Sequence, residues 1–148
     1  MLGRDGGLGV AALGRMLLVS LLLPTTTAAQ DVTDNMPLFG TWVWTQAENR
    51  CTEVYDFRRD GVAYVVSGDE RTENTFSLSA KPGPVGRHRL VMTTTKYYGG
   101  KDCADQTEDS TGKPATSYAL FYPGGRQMIL CADESSDNCF GPLIRLNP

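Results

Sequence analysis

Eight short runs of strand-forming residues, each closed by a turn signal, constrain this chain more than any other feature. They lie at 39–45, 51–58, 62–67, 71–79, 87–96, 115–122, 126–132 and 139–146. Asp60-Gly61 marks a tight hairpin turn. KPGPVG (81–86) and Pro123-Gly124-Gly125 are Pro/Gly connectors. One connection is long: 97–114, YYGGKDCADQTEDSTGKP, is acidic and turn-rich. A loop of that length in a compact domain is usually functional or mobile. The segments after the N-terminal region carry no amphipathic helical pattern and no repeat. Nearest-neighbour hairpins throughout predict an all-β fold, an eight-stranded antiparallel up-and-down barrel. Closure also removes exposed sheet edges, which invite aggregation.

The N-terminal region reads as a secretory signal over 1–29. Arg4 and Arg15 supply positive charge, 16–23 (MLLVSLLL) is apolar, and TTTAAQ offers Thr27 and Ala29 at the −3 and −1 positions of a cleavage site. The apolar run is much shorter than the ~20 residues of a spanning helix. No membrane insertion is therefore expected after cleavage, and the product is expected to be secreted or periplasmic. Removing 29 of 148 residues leaves 119, enough for one modest domain. Residues 30–38 read as a flexible tail, and 39–148 as the barrel domain.

Four cysteines follow the signal: Cys51, Cys103, Cys131 and Cys139. An even count in an exported chain implies two disulfides, with three possible connectivities. Cys131–Cys139 is the favoured pair, because CADESSDNC looks like a loop pinned at its base. Cys51–Cys103 would then close a loop of roughly 50 residues, which stabilises by about 3–4 kcal/mol in the loop-entropy model. A four-cysteine zinc site is disfavoured by the long spacings and the lack of a Cys-x-x-Cys pair.

Charge and motifs exclude several functions. Without the leader the chain has 12 basic and 16 acidic side chains and no extended basic patch, so no nucleic-acid partner is expected. His88, the only histidine, lies between Arg87 and Arg89 with no nucleophile elbow anywhere in the chain. The double glycines read as turns, not phosphate loops. Asp133, Ser135 and Asp137 open like a calcium loop, but Asn138 and Ile144 stand at the glycine and glutamate places. Asp105, Thr107 and Asp109 fail similarly at Ser110 and Thr116. No catalytic residue, metal or cofactor is expected, and the chain is not expected to be an enzyme. Glu53 shares a face with Cys51, Tyr55 and Phe57. If that face is internal, the carboxylate needs a partner such as Arg145 or a tyrosine.

The first strand places Gly40, Trp42 and Trp44 on one face. In a closed meander the last strand lies beside the first, so Arg145 can cover the Trp42 ring. Gly40-Thr41-Trp42 resembles the Gly-x-Trp signature of lipocalins and the wider calycin group. The resemblance implies a lipocalin-like barrel whose Trp42 plugs the closed end and packs on Arg145. It also implies a small apolar ligand in the barrel mouth. The chain departs from that family in being short, in lacking its C-terminal helix, and in lacking its motif between strands six and seven. In size it is equally similar to periplasmic barrel inhibitors of proteases or lysozyme.

The expected function is binding of a small apolar molecule in the interior. The candidate lining is Trp44, Tyr55, Phe57, Tyr64, Phe76, Met92, Tyr118 and Leu120, against the plainer possibility that these fill the core. The alternative is a module that binds or inhibits a secreted or periplasmic protein through loops 97–114 and 131–139, with Tyr97 and Tyr98 as anchors.

Overall fold

The computed structural model describes residues 36–147. The expected signal at 1–29 and residues 30–35 of the tail lie outside the described residues, as does Pro148. The described chain is eight antiparallel strands and no helix: β1 Gly40–Thr45, β2 Thr52–Phe57, β3 Val62–Ser67, β4 Glu70–Leu78, β5 His88–Tyr97, β6 Pro114–Phe121, β7 Gln127–Cys131 and β8 Cys139–Leu146. Each pairs with the next, and β8 returns to pair with β1, giving a closed barrel. Every boundary falls within one residue of the sequence expectation. The disulfides are Cys51–Cys103 and Cys131–Cys139.

Register fixes which face is internal, because residues opposite each other share a side of the sheet. Trp42 stands opposite Tyr55 and Arg145, Phe57 opposite Ala63, and Ala63 opposite Asn74. Continuing round, Phe76 meets Met92, His88 meets Ala119, and Ala119 meets Leu130. Two irregularities interrupt the ladder. One lies between Glu73 and Asn74 on the β4–β5 pair, the other between Met128 and Leu130 on the β7–β8 pair. Pro142 sits opposite the second, where a strand tolerates a residue without an N–H.

One end of the barrel is solid. Leu38, Trp42, Phe57, Leu90, Met128 and Leu143 are buried there as one core. Trp42 Nε1 donates to the Leu38 carbonyl at 2.8 Å, which satisfies an indole that burial would otherwise leave unpaired. The Arg145 guanidinium stands 4.5 Å from the Trp42 ring centre and donates through Nη2 to the Pro37 carbonyl. Met36–Leu38, read as tail from their polar context, therefore cross beneath Trp42, with Leu38 fully buried. Gly40 opens β1 at φ 115°, a conformation that side chains other than glycine's rarely adopt.

Candidate functional site

At the other end the barrel opens into a cavity of about 320 Å³. Its apolar wall is Tyr55 from β2, Met92 from β5, Ala115 from β6, Leu130 from β7 and Phe140 from β8. Its polar wall is Asn74, Thr94 and Ser110, with Ser117 from β6. Lys113, Pro114 and Thr116 form the rim.

Of the residues expected to line an interior site, Tyr55 and Met92 do so. Trp44 backs the wall, its ring 4.9 Å from that of Phe140. Phe57 and Phe76 belong to the core below: their rings meet edge-on at 5.1 Å, and Tyr55 stacks on Phe57 at 6.2 Å. Tyr64, Tyr118 and Leu120 stand on the outer wall and do not line the cavity. Their strand neighbours Ala63 and Ala119 take the internal face, where bulky residues from neighbouring strands leave room only for small ones. Tyr64 is 38% exposed and lies beneath the Arg58 guanidinium.

The residues sequence reasoning missed are mainly the polar ones. Asn74 shares a face with Phe76, and Thr94 with Met92, so period-2 phase alone would have pointed inward. Both are almost fully buried. They survive burial because they satisfy one another. Asn74 Nδ2 donates to Thr72 Oγ1 at 2.9 Å and to the Ala63 carbonyl at 3.4 Å. Thr94 Oγ1 donates to Asn74 Oδ1 at 2.9 Å and lies 2.9 Å from Ser110 Oγ. Phe140 was hidden by the irregularity in β8, which shifts its phase relative to Leu143.

Glu53 is the internal carboxylate that the sequence flagged. Its partner is a tyrosine: the Tyr55 hydroxyl donates to Oε2 and Ser67 Oγ donates to Oε1 at 3.2 Å. Burial first, then the adjacent Glu53 charge, push the Tyr55 phenol well above its ordinary value. Ser67 Oγ in turn accepts the Cys103 N–H at 3.0 Å. The interior carboxylate is thereby tied to the disulfide loop. Glu70, at the start of β4, is raised by partial burial and then by the charges of Asp102 and Glu53.

The long loop is held at both ends. Asp69 and Glu70 N–H groups both donate to the Lys101 carbonyl, and Gly112 N–H donates to that of Thr94. Gly100 passes so close to Asp69 that a Cβ would sit 2.2 Å from its carbonyl oxygen. Ser110 and Lys113 reach the cavity from this loop, and Lys113 pairs with Glu108 at 2.5 Å. The 131–139 loop is placed differently. Arg87, from the β4–β5 connection, donates to the carbonyls of Asp133, Glu134 and Ser136 at 2.7–3.2 Å and holds that loop down. Asp133 accepts the N–H groups of Ser135 and Ser136, which hold its carboxyl below the usual range. Its Oδ1 is spent on the loop's own backbone.

The fold and its two disulfides define a small extracellular-type barrel, the kind an oxidising compartment permits. Among the described residues no helix is long and apolar enough to cross a membrane. Comparison with protein-family models, curated proteins and solved structures finds no match to this chain.

Proposed function

We propose that this protein is a secreted or periplasmic, lipocalin-like carrier, not an enzyme, that holds a small, largely apolar molecule inside its barrel. The observation that carries this reading is the cavity. At about 320 Å³ it exceeds the roughly 30 Å³ share of one water many times. It falls at the lower end of ligand pockets, about 300–1,000 Å³. Tyr55, Met92, Leu130 and Phe140 give it an apolar body, with a few placed polar groups. His88, Glu53 and the cysteines are engaged in structural contacts. His88 Nδ1 is 2.8 Å from the Ser79 carbonyl and its ring packs on Phe121. Glu53 is engaged by Tyr55 and Ser67, and all four cysteines are paired.

Native mass spectrometry of the protein from its own source tests this. A retained small molecule, lost when the cavity is filled by Ala115→Trp, is the expected result. A protein partner in its place would support the second reading, binding through loop 97–114. That reading has one observation in its favour. Tyr98 is 52% exposed and with Tyr64 frames a shallow apolar hollow of about 250 Å³ on the outer wall.

A further inference from the structure

Resting on the reading of an interior ligand, we infer that this ligand is a neutral alcohol or phenol whose hydroxyl donates to the wall formed by Asn74, Thr94 and Ser110. The Ala63 carbonyl can only accept, so the nitrogen of the Asn74 amide must face it. Both Asn74 protons are then used, on Ala63 and Thr72, and Oδ1 receives the Thr94 hydroxyl. Thr94 has one proton, which this bond consumes. The contact between Thr94 and Ser110 can therefore form only if Ser110 is the donor. The protons of Asn74, Thr94 and Ser110 are then all committed, and Ser110 Oγ presents lone pairs to the cavity.

The opposite wall has the same polarity. The Tyr55 proton goes to Glu53, leaving its oxygen able only to accept. A ligand ketone, ester or ether could accept only from Ser117 or the rim ammonium of Lys113, and would leave the lone pairs of Ser110 and Tyr55 without a donor. A hydroxyl supplies the missing donor. Ser117, whose hydroxyl can rotate, can return a hydrogen bond to the same oxygen. Neutrality follows from the lining. The one charged side chain at the cavity is Lys113, at the rim and already paired with Glu108. A carboxylate inside would be desolvated against lone pairs. An ammonium would be desolvated in a lining that contains no carboxylate.

The test uses the whole chain with both disulfides formed and titration calorimetry with four probes of one body: propylbenzene, para-propylphenol, para-propylanisole and para-propylbenzoate. The phenol is expected to bind about tenfold tighter than its methyl ether, with the benzoate weakest. In Ser110→Ala the ratio of phenol to ether should fall below about threefold. Equal binding of phenol and ether, a preference for the benzoate, or an unchanged ratio in Ser110→Ala overturns the inference. If propylbenzene binds in those cases, the interior-carrier reading still stands. If no probe binds, that reading falls and takes this one with it.

Discussion

The Tyr55 hydroxyl donates to Glu53 Oε2 from two residues along the same internal face of β2. Burial and the neighbouring carboxylate raise the Tyr55 pKa in the fold. The unfolded chain releases that proton near its ordinary value of about 10. Unfolding above that pH therefore releases a proton that the folded state retains. The stability from a neutral Tyr55 is complete below about pH 10 and is lost as pH rises towards the folded value. Tyr55→Phe should remove this component. Urea melts should show wild type losing stability relative to the variant in alkaline buffer. Parallel profiles would mean Tyr55 ionises as freely in the fold as outside it.

Glu70 carries the same sign from a different cause. Partial burial, then Asp102 and Glu53, raise its carboxyl. A carboxylate with a raised pKa favours the folded state only while protonated, and that contribution disappears as pH rises through the folded value. Glu70→Gln should raise the melting temperature at neutral pH, and the difference should vanish below the ordinary glutamate range. A variant that melts lower than wild type at neutral pH would show that the carboxylate is stabilised by contacts that outweigh the repulsion.

Trp42→Ala should cost about 3–5 kcal/mol, the range for emptying a large aromatic site in a packed core. Trp42 is fully buried, bonds Leu38 and lies under Arg145. The loss falls at the closed end: Tyr55 is the register partner of Trp42, while Met92 and Phe140 come from β5 and β8. Calorimetric affinity for propylbenzene should therefore be retained in the folded fraction. A collapse of both stability and affinity would show that the plug and the cavity are one cooperative unit.

The strands and their order were legible because alternation, Asp60-Gly61 and the Pro/Gly connectors are local signals. The Cys51–Cys103 and Cys131–Cys139 pairing was legible because loop 132–138 is short. Depth was not legible. Alternation says that Trp44, Phe57 and Phe76 share internal faces, but not at which height the barrel is filled. Face itself failed where size misled. Tyr64, Tyr118 and Leu120 look like core beside Ala63 and Ala119, yet the alanines point inward because facing strands fill that space. Asn74 and Thr94 failed for the opposite reason. Polar strand residues read as solvent-facing unless their mutual hydrogen bonds can be seen, and those bonds join separate strands and a distant loop.

The Cys51–Cys103 bridge makes the sharpest prediction about the cavity, because it joins stability to the site. Replacing both cysteines by serine should cost about 3–4 kcal/mol by loop closure alone. Only part of the loop's hold is lost with it. Cys103 N–H still bonds Ser67, and Lys101 still accepts from Asp69 and Glu70. The segment carrying Ser110 and Lys113 lies beyond Cys103 and depends on Gly112 and Thr94 for its second anchor. Hydrogen exchange should therefore quicken first over residues 102–113, with β5 and β6 staying protected under native conditions. Propylbenzene should dissociate faster from the double serine variant than from wild type, with the association rate changed less. If exchange quickens evenly over the whole barrel, the bridge acts on global stability only. If it quickens in the loop with no change in dissociation, the loop does not close the cavity.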